Sequence, residues 1–258
     1  GYTRGSQHEK VRELINKLAE HLDIEIALMR QSGRILASIL ERLRREVKPG
    51  VRTSQLDIIM AEESEGRGVE PSFKNYQGFP ANLCVSVNNE IVHGIPGERV
   101  LNEGDIVSLD AGVIYKGFHS DSAITVPVGE ISQQAKELIT VTEGSLRAGI
   151  AQAKSGAYLG AISSAIQSYV ESRGFSVVRE YTGHGIGRNL HEDPQIPNFA
   201  FGRGPLLRKG MVLAIEPMVS AGDWHTELAA NQWTVLTSDG SLSAHFEHTI
   251  AITNDEAE

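Results

Sequence analysis

The sequence has few of the features that disulfide-bonded, membrane-spanning or nucleic-acid-binding proteins need. Its only cysteine is Cys84, so no disulfide can form within the chain, and a reducing compartment is expected. No apolar run approaches the ~20 residues of a membrane span, and the first residues lack the apolar segment of a signal peptide. The 24 basic residues form no run and are outnumbered by 33 acidic residues, which argues against nucleic acid as a partner. We therefore expect a cytoplasmic monomer that binds neither membranes nor nucleic acid.

The chain also lacks a low-complexity tract or a Pro/Ser-rich linker, which predicts one main domain over residues 24–258. Residues 1–23 form an N-terminal extension. Within it, apolar side chains recur at helical spacing opposite a charged face, which predicts an amphipathic helix over residues 8–22. These apolar side chains are Val11, Leu14, Ile15, Leu18 and Leu22. Two interpretations stay open: the helix packs on the main body, or it is a docking or dimerisation arm.

The order of predicted elements is the same in the two halves of the main domain. Helices over residues 26–47 and from Thr53 to about residue 65 precede strands at 83–87, 106–114 and 123–128. Helices from Ser132 and Tyr158 then precede strands at 177–181, 211–215, 232–236 and 244–252. The segments 104–110 and 210–216 each begin with glycine, continue as an apolar strand and end in a carboxylate. We therefore predict an α+β fold with two similar halves whose strands bring carboxylates to a shared centre.

Five acidic or imidazole side chains lie in segments that read as strand or tight turn: Asp110, Asp121, His184, Glu216 and Glu247. Three of the carboxylates interrupt apolar strands, where an unpaired charge costs several kcal/mol. Four carboxylates that converge would repel one another strongly unless cations lie between them. Oxygen ligands with one imidazole suit Mn, Fe, Co or Zn. The set therefore predicts a site for two divalent metal ions, which can activate water and polarise a carbonyl group.

The first two carboxylates lie in a predicted hairpin over residues 105–121, with its turn at residues 115–117. A two-residue loop at Tyr115 and Lys116 places Asp110 directly opposite Asp121, where like charges destabilise a sheet. A bulge at Gly117 would instead shift this register by one residue.

The nine histidines differ in their surroundings. His184 is flanked by glycines, which let the backbone approach a ligand closely, so we predict a ligand histidine. His93 and His191 lie in rigid turns, where contact with substrate is our interpretation and a surface turn is the alternative. His119 and His245 each lie two residues before Asp121 and Glu247, so in a strand they share a face with these carboxylates. Two interpretations stay open for them: they support the site, or they are exposed to solvent.

From about residue 24 to its end, the chain resembles the type I methionine aminopeptidases. Besides the hairpin, the matching segments are 71–80 (PSFKNYQGFP), 84–88 (CVSVN), 91–96 (IVHGIP), 183–187 (GHGIG), 190–195 (LHEDPQ), 211–217 (MVLAIEP) and 243–249 (SAHFEHT). The resemblance implies the pita-bread fold, with a curved antiparallel sheet, helices on its outer face and pseudo-twofold halves. The short stretch between His184 and Glu216 leaves no room for the helical insertion of type II relatives.

The resemblance also implies roles for particular residues. Asp110, Asp121, His184, Glu216 and Glu247 correspond to the five metal ligands, with Asp121 and Glu247 bridging the ions and Glu216 also taking the proton of the attacking water. His93 and His191 correspond to histidines that contact the scissile amide and stabilise the oxyanion. The methionine pocket corresponds to Tyr76, Phe79, Cys84 and Trp233, with Phe73 and Leu190 as further candidates.

The expected reaction is removal of the initiator methionine from nascent chains when the second residue is small, with the ribosome exit as the working place that this substrate suggests. Two alternatives are an Xaa-Pro aminopeptidase and a non-catalytic interaction protein, both on the same fold. Proline-specific relatives usually carry a large N-terminal domain that this chain cannot hold. A non-catalytic protein would be expected to have lost metal ligands, whereas all five are present.

Overall fold

The computed structural model describes the backbone of residues 4–258 and the side chains of residue 17 and of residues 21–258. The predicted apolar face of the N-terminal helix therefore falls mostly outside the described residues, since the side chains of Val11, Leu14, Ile15 and Leu18 are not among them. Leu22 is described, and its side chain lies against Gly210.

The described part of the chain contains four α-helices. They are α1 (Arg4–Glu46), α2 (Thr53–Gly66), α3 (Gln133–Ile150) and α4 (Gly160–Glu171). Helix α1 runs without interruption through both segments predicted as helical before Pro49, whose ring disfavours helical geometry in the residue before it. Helix α3 begins as predicted, because Ser132 Oγ accepts a hydrogen bond from the Ala135 amide at 3.2 Å. No described helix combines the length and apolar character needed to cross a bilayer.

Fourteen strands are described. They are β1 (Glu70–Pro71), β2 (Cys84–Val87), β3 (Glu90–Val92), β4 (Ile106–Tyr115), β5 (Phe118–Pro127), β6 (Ser176–Val177), β7 (Thr182–Gly185), β8 (Glu192–Pro197), β9 (Val212–Ile215), β10 (Met218–Ser220), β11 (Thr226–Leu228), β12 (Val235–Thr237), β13 (Ser243–His245) and β14 (Glu247–Ala251).

The main sheet has eight antiparallel strands in the order β1-β4-β5-β14-β9-β7-β8, with β2 also paired to β4. Two three-stranded sheets, β13-β10-β6 and β11-β12-β3, flank it. One core cluster joins α1 and α2 to β2 and β4, and a second joins α3 and α4 to β9 and β14. Each half thus packs two helices on its own strands, which agrees with the predicted α+β fold of two similar halves.

The predicted hairpin register is wrong: each residue of β4 pairs with the residue of β5 two positions beyond its predicted partner. The loop consists of Lys116 and Gly117, which both have positive φ (50° and 81°), so Tyr115 pairs with Phe118. This geometry matches a two-residue turn that suits the right-handed twist of the strands. Asp110 therefore pairs with Ala123, and Asp121 pairs with Gly112. Because the displacement is even, the two aspartates still lie on one face as diagonal neighbours.

Two strand predictions are also corrected. The segment 244–252 is not one strand, since β13 and β14 belong to different sheets on either side of Phe246. The strand predicted from Gln232 begins only at Val235. Before it, Asn231 Oδ1 accepts hydrogen bonds from the amides of Trp233 and Thr234, which holds these residues in a turn.

Candidate metal centre

Neighbouring strands of the main sheet bring the five predicted polar side chains to one place. Asp110 lies on β4, Asp121 on β5, Glu247 on β14, Glu216 directly after β9, and His184 on β7. These strands are consecutive in the sheet. Small residues lie between the polar ones: Ala123 pairs with both Asp110 and Glu247, and Ala214 pairs with His184. The alanines leave space on the sheet surface that a larger side chain would fill.

His184 faces three of the carboxylates with one ring nitrogen. Its Nε2 lies 3.6 Å from Glu216 Oε1, 3.9 Å from Asp121 Oδ2 and 4.0 Å from Glu247 Oε1. The other nitrogen, Nδ1, donates a hydrogen bond of 2.8 Å to the carbonyl oxygen of Gly185. In the neutral ring the proton therefore lies on Nδ1, and the lone pair of Nε2 points toward the carboxylates.

Close backbone approach explains the glycines around His184. A Cβ on Gly183 would overlap the carbonyl oxygen of Ala214 on β9, and a Cβ on Gly185 would overlap that of Asp193 on β8. Strand β7 can pass between these two strands only because both positions lack a side chain. This packing fixes the place of the histidine ring between them.

The cluster carries more negative charge than the surrounding protein compensates. Burial raises the pKa of Asp110 to about 7. Burial and then neighbouring carboxylates raise the pKa values of Asp121, Glu216 and Glu247 well above their ordinary range. Burial lowers the pKa of His184 to about 4, so this histidine is neutral at pH 7 and offsets no charge. Among the described residues, no lysine or arginine lines the cleft.

Three carboxylate oxygens are buried without a hydrogen-bond partner: Asp110 Oδ1, Asp121 Oδ1 and Glu247 Oε1. Buried polar atoms in proteins are nearly always paired, so such orphaned acceptors need an explanation. Ligand atoms of Asp121, His184 and Glu247 lie within 4.8 Å of one another, a spacing that can hold a metal ion. The oxygen-rich donor set, the orphaned oxygens and the uncompensated charge all fit divalent cations.

A cleft of about 130 Å³ opens beside this cluster. Its remaining lining consists of Phe73, Tyr76, Gln77, Phe79, Cys84, His93, Leu190, His191 and Trp233. The rings of Phe79 and Trp233 meet edge to face at 5.3 Å. Burial raises the pKa of the Cys84 thiol well above its usual range, so Cys84 contributes a neutral, polarisable surface. All residues predicted for a methionine pocket therefore line one cleft.

The two turn histidines both line this cleft, and each contacts a different tyrosine. His93 has a positive φ of 58°, and its ring meets Tyr181 edge to face at 5.8 Å. The ring of His191 lies 4.3 Å from that of His184, and its Nδ1 lies 2.8 Å from Tyr76 Oη. Burial lowers the pKa of both histidines, for His93 to about 4. Both therefore face the cleft as neutral rings at pH 7.

The structure shows three features of the site that the sequence did not reveal. Tyr76 was predicted only as a pocket wall, yet it also bonds His191. Tyr181 packs on His93. His245 is 1% exposed, with Nε2 3.8 Å from Glu216 Oε2 and neither ring nitrogen hydrogen-bonded, so exposure to solvent is excluded for it. For His245, the only indication in the sequence was its position two residues before Glu247.

Comparisons with known proteins agree with this geometry. Residues 27–254 match metallopeptidase family M24. Methionine aminopeptidase 1 of Bacillus subtilis is 55% identical over 230 residues, which cover 89% of this chain and 93% of the relative. The crystal structure of a methionine aminopeptidase from Thermotoga maritima is similar with a TM-score of 0.89 and 48% identity, over 91% of this chain and 95% of that one.

A more distant structure shares the fold alone. The Xaa-Pro dipeptidase from Bacillus anthracis is 24% identical with a TM-score of 0.74, and the match covers 92% of this chain but only 60% of the dipeptidase. The identity and coverage of the first two relatives, together with the buried cluster of carboxylates and histidine, confirm the pita-bread fold and a metal-dependent hydrolase. The chain belongs to metallopeptidase family M24 and, within it, to the methionine aminopeptidases.

Proposed function

We propose that this chain uses two divalent metal ions to remove the N-terminal methionine from nascent proteins and peptides whose second residue is small. The observation that carries the proposal is the buried cluster of four carboxylates and one neutral histidine beside a small apolar cleft. The cluster suits divalent cations, and the cleft is apolar, aromatic and of a size for one side chain. Sulfur–aromatic contacts favour a thioether in such surroundings.

The residues proposed to hold the metal ions are Asp110, Asp121, His184, Glu216 and Glu247. Asp121 and Glu247 lie on the adjacent strands β5 and β14, with ligand-bearing strands on either side of this pair, so they would hold metal at the centre of the cluster. Bound divalent ions supply Lewis acidity toward the scissile carbonyl group and lower the pKa of water. Mn, Fe, Co and Zn all suit this donor set.

The remaining steps belong to side chains of the chain itself. Glu216 takes a proton from the attacking water and delivers it to the departing amine, as a general base and then a general acid. His93 and His191, which both line the cleft, contact the scissile amide. A hydrogen bond donated by Tyr76 to Nδ1 of His191 leaves the proton of the neutral ring on Nε2, which can then donate to the oxyanion. Loss of one such donor typically lowers the rate by ~10²–10³.

The proposed working place is the cytoplasm, where nascent chains emerge from the ribosome, and the proposed state is a monomer. The working place follows from the substrate, because initiator methionine is exposed only on new chains. We also keep the division into an extension over residues 1–23 and a catalytic domain over residues 24–258 as a proposal.

The proposed role of the hydrogen bond between Tyr76 and His191 leads to a kinetic prediction. We expect Tyr76→Phe to lower kcat about tenfold and to change KM for a methionyl peptide little, since one hydrogen bond is lost while the ring stays in the pocket. Steady-state kinetics on Met-Ala-Ser measure both constants. Phe79→Leu is the matched control, because it alters the pocket wall without touching His191 and should raise KM. A raised KM with unchanged kcat for Tyr76→Phe would show that Tyr76 only lines the pocket.

The proposed function is tested by peptide cleavage. Protein stripped of metal by a chelator is supplied with Mn, Co, Fe or Zn and offered Met-Ala-Ser, Met-Leu-Ser and Ala-Pro-Ser. We expect metal-dependent release of methionine from the first peptide, at least ~10²-fold faster than from the second, because a bulky second residue meets the wall of the site. Cleavage of Ala-Pro-Ser instead would indicate a proline-specific peptidase. No cleavage by folded protein with any of the metals would favour a non-catalytic protein.

A further inference from the structure

A second cavity lies behind the main sheet, between α1 and the strands β5, β9 and β14. Its volume is about 300 Å³, compared with about 130 Å³ for the cleft at the metal centre. Three consecutive residues of β5 line it, Ser120, Asp121 and Ser122. The side chain of Ser120 faces α1, since its Oγ lies 2.8 Å from Ser32 Oγ. Because side chains alternate between the faces of a strand, the two serine side chains lie on the face of the sheet opposite the carboxylate cluster, and the cavity reaches β5 at Asp121 from that face.

The interior of this cavity, here called the rear cavity, is mostly apolar. Its walls include Met29 and Leu36 on α1, Val212 on β9 and Ile250 on β14. Gly33 lies in the α1 wall, and a Cβ at this position would meet no atom within 4 Å. Glycine is normally disfavoured inside a helix. At this position, the missing side chain leaves open space at the wall of the cavity. The size and lining are those of small-molecule sites, which are largely apolar with a few polar groups.

Two arginines supply positive charge to the rear cavity, whose other polar residues are Ser120, Asp121, Ser122, His248, Thr249 and Glu258. Arg30 and Arg34 both line it, together with the carboxylate of Glu258. Arg30 donates through Nε and Nη2 to the two oxygens of Glu258, with Nη2 at 2.7 Å from Oε2. The guanidinium group therefore already presents the two-pronged geometry that matches a carboxylate.

The carboxylate of Glu258 is only weakly held. The side chains of Arg30 and Glu258 are 37% and 49% exposed, and exposed ion pairs contribute little free energy. The hydrogen bonds from Arg30, with the nearby charge of Arg34, lower the pKa of Glu258, so the pair is ionised at pH 7. A carboxylate from a ligand with its own apolar chain can replace Glu258 and add contacts that Glu258 does not make.

We propose that the rear cavity binds a medium-chain aliphatic carboxylate, with its carboxylate on Arg30 and Arg34 and its chain in the apolar space beside Gly33. The ligand displaces the side chain of Glu258. The site lies on the other face of the sheet from the metal centre, so binding requires neither metal nor peptidase activity.

The test is calorimetric titration of the metal-loaded protein with octanoate. Saturating methionine is present throughout to keep the probe out of the cleft. We expect one octanoate to bind per chain. The uncharged analogue 1-octanol should bind about tenfold more weakly, because it lacks the charged partner for Arg30. Octylammonium should not bind, since it places a cation beside two others.

Variants of α1 and of the ion pair locate the binding site. Gly33→Leu fills the rear cavity and should abolish binding, whereas Gln31→Leu, at an exposed position of the same helix, should leave it unchanged. Arg30→Gln should weaken binding about tenfold. Glu258→Ala removes the competing carboxylate and should strengthen binding about two- to fivefold.

Folding is checked by the unfolding temperature of Gly33→Leu. This temperature should equal or exceed that of the parent protein, since leucine favours helix more than glycine. Gly33→Ala is a milder variant that reduces the cavity with less added bulk, and it should weaken binding without abolishing it. The proposal would be overturned if octanoate does not bind, if it still binds to the Gly33→Leu variant, or if octylammonium binds equally well.

Discussion

We expect Asp121→Asn to lower kcat/KM for methionyl peptides by ~10³-fold or more, and at the same time to raise the stability of the metal-free protein. Each ~1.4 kcal/mol of lost transition-state stabilisation lowers the rate tenfold, and metal ions supply several kcal/mol of such stabilisation. The asparagine side chain would keep the shape of the aspartate but lose the charge that holds a cation. The catalytic loss therefore follows from charge alone.

The gain in stability has the same origin. Asp121 is 5% exposed, one of its oxygens has no hydrogen-bond partner, and burial with the neighbouring carboxylates raises its pKa. Without metal, folding must either keep a proton on this carboxylate or tolerate an uncompensated charge. An amide removes that requirement, and the expected gain in the free energy of unfolding is on the order of 1–2 kcal/mol, a typical size for one substitution.

Asp105→Asn is the matched control for this prediction. Asp105 is a structural carboxylate outside the cleft that accepts hydrogen bonds of 2.9 Å from Asn88 Nδ2 and from the Asn102 amide. Its replacement should lower stability and leave kcat/KM nearly unchanged. Chelated protein is unfolded by urea for the stability comparison, and peptide cleavage is followed with added metal. A metal-free Asp121→Asn protein that is less stable than the parent would show that Asp121 is held by structural bonds rather than poised for a cation.

The sequence was sufficient to identify which side chains meet, but not how their strands pair. A carboxylate that interrupts an apolar strand is a local signal, visible at Asp110, Glu216 and Glu247 without knowledge of the fold. A two-residue hairpin loop then predicted that Asp110 and Asp121 lie directly opposite each other, and the structure places them as diagonal neighbours on one face. The register failed because it depends on which residues adopt positive φ in the turn, and the loop lies at Lys116 and Gly117 rather than one residue earlier. A register displaced by an even number of residues leaves each side chain on the same face of the sheet, so the predicted cluster is correct although the register is wrong.

Contacts between segments that are distant in the sequence left no such local signal. The bond between Tyr76 and His191, and the packing of Tyr181 on His93, join residues that only the folded sheet brings together. The rear cavity is of the same kind, since Gly33 looks ordinary within a long helical segment. Its significance comes from the strands beneath it. Helical periodicity likewise predicted two helices before Pro49, where the backbone is one continuous helix.

The second large effect concerns pH. We expect the metal-free protein to lose stability as the pH rises from about 7.5 to about 8.5, and the metal-loaded protein not to do so. Burial raises the folded-state pKa of Asp110 from 3.8 to about 7, and the pKa values of the other three carboxylates also lie well above their ordinary range. In this window the folded state still holds protons that the unfolded state has released. Stability therefore falls by ~1.4 kcal/mol per pH unit for each proton that folding retains.

The buried histidines set the lower limit of this pH window. His93, His184 and His245 have folded-state pKa values of about 4, 4 and 3, below the ordinary value of 6.5. Their contribution is lost as the pH falls through 6.5 and becomes constant about one pH unit above this value, because they are then neutral in both states. The carboxylate contribution has the opposite sign: it is fully present below pH ~4 and is lost as the pH rises through the raised values. From about pH 7.5 upward the carboxylates therefore act alone.

Urea unfolding of chelated protein at several pH values measures this slope, and the same series with divalent metal supplies the control. Bound cations keep the carboxylates ionised in the folded state, and metal affinity rises with pH, so the slope should vanish or change sign. Asp121→Asn removes one titrating group and should make the metal-free slope shallower. If this variant and the parent have equal slopes, the retained protons lie elsewhere, and the stability gain expected from Asp121→Asn loses its physical basis. The two predictions thus test one cause, the concentration of negative charge that the fold assembles for a cation.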